Sequence, residues 1–345
     1  MKKLYYIMVF WAILWSFPVY ANQENKNLEN NIPKEIIEDK MKFFTLTVEN
    51  DLFGAGTDQN YTSGVRFNYF DTSSITPLSA QKLDYMLPFF QINNTTSVYY
   101  ALGQNLYTPD DIKARVPDPS DRPYAGFLYG ALGMTTLSGD HIDDLEITVG
   151  VIGPWALGEE TQEFVHDLGN FDDPSGWSYQ LENEPALNLA WQRQWPEAYA
   201  SHFGSLYFRA SPHVGVSIGN IYTYASSGLS LQFTPFETRW QSKPLRVRPA
   251  IPGNGLFAVP ENHLSWSIFA GVEGRAVARN IFLDGNTWED GPSVNKKPFV
   301  ADANVGVSLS YGKTQVSYTL NWRSKEFDGQ DDPSIFGAIS VGYRF

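Results

Sequence analysis

The sequence predicts an all-β protein, a transmembrane antiparallel β-barrel, on three observations. Apolar residues recur with period two in segment after segment. Beyond the first twenty residues no run reaches the ~18 consecutive apolar residues of a helical span. The last segment is an amphipathic strand that finishes on the aromatic Phe345.

The alternation is clearest in six places. Phe44, Leu46 and Val48 alternate with Thr45, Thr47 and Glu49; Val65, Phe67 and Tyr69 alternate with Gly64, Arg66 and Asn68. Leu145, Ile147, Val149 and Val151 form one face of a third strand, and Leu264, Trp266, Ile268, Ala270 and Val272 one face of another. Val305 to Tyr311 and Val316 to Trp322 repeat the pattern against Asn, Gly, Ser, Thr and Arg. Strands that are apolar on one side suit a soluble sandwich core or a barrel whose apolar side meets lipid. The ending decides between them. Ile339, Val341, Tyr343 and Phe345 alternate with Ser340, Gly342 and Arg344, and this resembles the recognition signal of bacterial outer-membrane barrels, which makes the barrel assembly machinery an expected partner. The 19 Tyr, 23 Phe and 10 Trp, heavy aromatic use for a chain 43% hydrophobic, agree with either β architecture.

Export is written at the start. Lys2 and Lys3 precede an apolar stretch from Leu4 to about Pro18, then Val19-Tyr20-Ala21, the pattern of a cleaved signal peptide over residues 1–21. Residues 22–40 are rich in Asn, Glu and Lys and read as a flexible leader, so residues 41–345 form the barrel domain. The net charge of −13 becomes −15 once Lys2 and Lys3 leave with the signal, which argues against nucleic acid as a partner. With no cysteine, stability must come from the core, an oligomer or a membrane. The long polar segments 104–124, 158–185 and 283–299 are expected at the extracellular rim, because such barrels pair short periplasmic turns with longer outer loops.

Three segments hold candidate chemistry. Glu49-Asn50-Asp51 and Thr57 to Gly64 bring carboxylates, an amide and hydroxyls to one rim, with Glu49, Asp51, Thr62 and Gly64 on the inward face. Hard oxygen donors suit Ca²⁺; Asx and Ser/Thr turn chemistry uses the same residue types. Gly158 to Gly169 reads as a short helix in an extracellular loop, with Gln162 and His166 one turn apart on a shared face and Phe164 and Leu168 on another. A His held beside a Gln on a helix is a candidate general base. Arg122, with Lys113 and Arg115 before it, could hold phosphate groups; pairing with neighbouring carboxylates is the alternative.

Taken in order, Glu49-Asn50-Asp51, Thr57 to Gly64, Asp121 to Gly126, Gly150 to Gly169 and Trp177 to Asn188, with its Gln180 and Asn183-Glu184-Pro185, resemble the lipid A 3′-O-deacylase family of Gram-negative outer membranes. The resemblance covers about residues 43–345. It implies a barrel of about 12 strands, a calcium-dependent site near the outer-leaflet rim, and hydrolysis of the 3′-linked acyloxyacyl chain of lipopolysaccharide. By the same resemblance Asn50, Asp51, Gln162 and His166 are catalytic, Asp51 and Thr62 ligate the metal, and Arg115 meets lipid phosphate. The acidic partner of His166 is open between Asp172, Asp167 and Asp173. A water activated by His166 is the expected nucleophile. An outer-membrane phospholipase using Ser63, or a porin-like barrel needing only the strands, are the alternatives.

Overall fold

The computed structural model describes residues 41–54, 60–72, 89–93, 95–169, 173–235 and 263–345, with the backbone alone at 60–62. The expected signal and leader lie outside the described residues. Its strands are β1 (Lys42–Asn50), β2 (Asn60–Asp71), β3 (Ser97–Thr108), β4 (Ala125–Ser138), β5 (His141–Ile152), β6 (Glu184–Gln194), β7 (Tyr199–Phe203), β8 (Leu206–Gly219), β9 (Tyr222–Thr234), β10 (Ser265–Asn280), β11 (Phe299–Tyr311), β12 (Thr314–Arg323) and β13 (Ser334–Arg344). Among the described residues two α-helices interrupt them, α1 (Gly158–Gly169) and the single turn α2 (Ile281–Asp284).

Every neighbouring pair is antiparallel, and the sheet closes where β1 meets β13 and β6 meets β8. β7 pairs with the first half of β8 while β6 pairs with the second half, so both lie along the same flank of β8. They form one stave broken at Trp195–Ala198, where Pro196 cannot donate to the ladder. The ring therefore has twelve staves and no free edge.

Alternation sorts the side chains as the sequence predicts. Phe44, Phe67, Ile268, Val305, Val316 and Val341 are exposed on the outer face. Leu145 departs from this, because Phe90, Val98 and Met134 cover it on the outer wall. No described helix is long and apolar enough to cross a membrane.

Inward-facing polar groups pair across the lumen, as buried charges must. Arg66 meets Glu146 at 2.7 Å, and Tyr99 donates to the same carboxylate at 3.0 Å. Asp302 accepts from Arg275 at 2.8 Å and from Arg323 at 2.7 Å. Above this layer the Tyr107 and Tyr222 hydroxyls bond at 2.8 Å from opposite walls, and Phe282 of α2 stacks on Tyr107 with ring centroids 4.0 Å apart. Phe127, Ile221 and Ile281 complete an apolar plug. A lumen occupied this way does not suit the porin-like alternative, which needs an open passage.

The ends differ. At the end carrying the barrel termini, β4–β5 and β11–β12 are joined by two-residue turns whose Gly139 and Gly312 take φ of 59° and 58°, a conformation only glycine adopts at little cost. The polar segments gather at the other end, though the stretch from 104 begins inside β3, since Asn105 faces the lumen and Gln104 bonds a rim turn. A closed barrel of this kind should run faster on gels unheated than boiled. Identical mobility in both states would contradict closure.

Candidate active site on the outer wall

Four residues line up across the rim. Asn50 pairs with Ser63, Ser63 with Leu106, and Leu106 with Gly126. Cross-strand partners point to the same side, and these share parity with Phe44, Phe67 and Leu102, so the row lies on the outer face. Asn50 is two strand spacings, roughly 10 Å, from Leu106.

The helix is built onto this row. Gln104, one outward position below Leu106, donates to the carbonyls of Ala156 at 2.7 Å and Leu157 at 3.1 Å. That fixes the turn entering α1 against β3. Gly126 allows the approach: a Cβ there would lie 3.2 Å from Ala156 Cβ and from the Gly158 backbone. Gly158 in turn sits under Trp177, whose ring a Cβ would meet at 2.7 Å. Leu106, Tyr124 and Trp177 pack together as a small core outside the barrel.

This packing buries one face of α1. Gln162 is 2% and His166 5% exposed. Trp177 Nε1 donates to Gln162 Oε1 at 2.8 Å. The bond orients the amide, and Gln162 Nε2 is left buried with no hydrogen-bond partner among the described residues. The opposite flank is acidic. There burial and then the Glu163 and Glu160 carboxylates push Glu159 up from the ordinary range.

The Asn50-Asp51 pair ends β1. Leu52 N–H donates to Asn50 Oδ1 at 2.7 Å, capping a 3-10 turn, Asp51–Phe53. This turn folds onto the outer side of β13: a Cβ on Gly337 would strike Phe53 at 2.6 Å, and Tyr318 donates to the Phe53 carbonyl at 2.7 Å. Asp51 is buried there. On β2 a bulge between Tyr61 and Ser63 leaves Thr62 without a register partner on β3. The Thr62 side chain and residues 55–59 lie outside the described residues.

The remaining candidates separate. Lys113 and Arg115 are exposed and follow Ile112, whose carbonyl accepts from Ser175 N at 2.8 Å and Tyr124 Oη at 3.1 Å; both cations thus belong to the segment held beside the Trp177 core. Arg122 does not join them. It is buried toward the lumen, 3.5 Å from Glu326 and over the Tyr107 and Phe327 rings. Its partner is an internal carboxylate, the alternative the sequence left open. Glu184 of the Asn183-Glu184-Pro185 motif is also structural, accepting from Thr287 N and from Asn220 and Asn286. Asp167 and Asp173 are exposed, and Asp172 lies outside the described residues. Sequence reading missed Trp177 and Gln104. A polar Gln104 on an otherwise apolar outward face was the available signal.

A family profile described as outer membrane protein LpxR matches residues 7–345. The chain belongs to the LpxR family. It is an outer-membrane protein, and this is the family of lipid A deacylases that its motifs resemble. Among solved structures, LpxR from Salmonella typhimurium matches with a TM-score of 0.70 at 20% identity, over 87% of this chain and 99% of that one. The β domain of the Bordetella autotransporter BrkA gives 0.38 at 10% identity over 89% and 98% of the two chains. The NalP translocator domain of Neisseria meningitidis gives 0.37 at 9% over 92% and 95%. No curated protein matches the chain. The shared fold with the Salmonella LpxR is the twelve-stranded barrel, and its outer face is the lipid-facing one.

Proposed function

We propose that this LpxR-family protein hydrolyses the 3′-linked acyloxyacyl ester of lipid A, with His166 as general base. The observation that carries the reading is the burial of Gln162 and His166 on the wall side of α1, the helix being anchored to the outward row that Asn50 ends. A base placed there meets an ester whose acyl chains lie in the membrane beside it. His166 takes a proton from water as the water oxygen bonds to the ester carbonyl carbon. The carbonyl oxygen gains the negative charge, the ester C–O bond then breaks, and the proton passes to the departing alkoxide. Asn50 Oδ1 is engaged by the Leu52 N–H, so its Nδ2 is the group left to donate to the oxyanion. Gln162 Nε2, oriented by Trp177, holds the water or the ester. Lys113 and Arg115 meet lipid A phosphates at the rim.

Asp51 and Thr62 would hold Ca²⁺. They fit by kind: a buried carboxylate and a hydroxyl, both hard oxygen donors. Among the described residues no three His, Cys, Asp or Glu side chains converge, so these contribute at most two such ligands. A bound Ca²⁺ supplies positive charge beside the ester carbonyl. Hydrolysis should therefore stop under chelator and return with Ca²⁺ more than with Mg²⁺, measured as fatty acid released from lipid A in micelles. Release untouched by exhaustive chelation would remove the metal from the reading.

A further inference from the structure

The helix that carries Gln162 and His166 has three faces, and the active site uses one. At about 100° per residue, Gly158, Gln162 and His166 form the buried face. Glu159, Glu160, Glu163 and Asp167 form an acidic flank. Phe164, Val165 and Leu168 form the third, in line with Leu157 at its start. These apolar side chains are not folded into the protein: Leu168 is 74%, Phe164 63% and the preceding Trp155 68% exposed. Leu157 is moreover held at φ 56°, the left-handed region that branched residues avoid. Strain of that kind persists where the surroundings over-determine it, and here the Gln104 and Thr161 bonds to its carbonyl do so.

The stripe has a definite neighbour. The turn at Ala156–Leu157 is pinned to Gln104, and the next outward residues below on β3, Leu102 and Tyr100, are exposed. Two residues of strand are about 7 Å. The apolar side of α1 is therefore continuous with the hydrocarbon-facing belt of the wall, while its acidic flank faces away from that side.

We propose that α1 is an interfacial helix whose Trp155, Leu157, Phe164, Val165 and Leu168 sit in the acyl-chain layer of the outer leaflet, so that the site opens sideways into the membrane. Apolar area on one flank and charge on the other is how such helices bind a bilayer surface. The occupant of the stripe is the hydrocarbon of membrane lipids. Its consequence for turnover rests on the deacylase reading: substrate chains enter laterally beneath the helix and reach His166 without leaving the bilayer.

The cysteine-free chain allows a direct test. Leu168→Cys and Glu163→Cys are each labelled with a small fluorophore and the folded barrel is placed in phosphatidylcholine vesicles. The label at 168 should be quenched by lipids brominated along their acyl chains and shielded from aqueous iodide, and the label at 163 should behave oppositely. Equal iodide quenching at both positions, with no effect of brominated lipid, would overturn the proposal. So would Leu168→Cys disulfide dimers forming in vesicles at high yield, which would make the stripe a contact between copies. This arm needs no activity, so it stands or falls apart from the deacylase reading. In the second arm, Phe164→Ser with Leu168→Ser should lower hydrolysis of lipid A in vesicles by at least tenfold and leave hydrolysis in detergent micelles within about twofold. Equal losses in both media would contradict lateral entry.

Discussion

Replacing His166 by Ala should lower lipid A hydrolysis by about 10²–10⁴-fold, the usual contribution of a positioned base, while the barrel still folds. His166 belongs to a helix laid on the outer wall, and the ring of twelve staves closes without it. The gel shift between unheated and boiled protein should therefore match the parent. Ser63→Ala is the companion measurement, since Ser63 lies in the same outward row. Abolition by Ser63→Ala in a folded barrel, with His166→Ala unaffected, would move the chemistry to a serine nucleophile.

The second large effect concerns stability. Glu326 lies in the segment between β12 and β13, buried among three arginines. Burial opposes its ionisation, but Arg323, Arg122 and Arg275 outweigh that cost and hold its carboxyl below the ordinary range. Glu326→Gln removes a charge that acts on all three. Breaking a buried pair on one side costs about 3–5 kcal/mol, so the variant should unfold at distinctly lower urea in detergent. The parent carries the same signature in pH. A depressed folded-state value contributes stability above the ordinary Glu range, near 4.3, and that contribution is lost as pH falls through the folded value. Unfolding midpoints should thus decline on acidification below about pH 4, and Glu326→Gln should flatten the decline. A variant as stable as the parent across that range would show that the arginines are balanced elsewhere.

Much of the barrel was legible because its physics is periodic. Val305, Val307, Leu309 and Tyr311 announce their face in four alternate positions, and all four are exposed outward. The helix was legible too, since Gln162 and His166 are one turn apart and prove to be its buried pair. The wall on which it packs was not. Period-two reading assigned Glu49 and Asp51 to the inward face; Glu49 keeps that parity inside β1, but the chain leaves the strand after Asn50 and folds a 3-10 turn over Gly337, so parity stops before Asp51. A bulge between Tyr61 and Ser63 interrupts the register of β2 with β3 at the same rim. Arg122 was read with Lys113 and Arg115 because charge carries no direction in a sequence. Its burial depends on Glu326, 204 residues away. The small core of Leu106, Tyr124 and Trp177 joins three segments and has no local pattern.

On the proposed function, a base held against the lipid-facing wall cleaves one acyl ester of lipid A. Purified barrel and lipid A in detergent micelles with Ca²⁺, followed by tandem mass spectrometry, test it directly. The parent should convert lipid A to a species lacking the 3′-linked acyloxyacyl group, and His166→Ala should leave it intact. Lipid A unchanged by the folded parent, or a loss confined to another position, would contradict it.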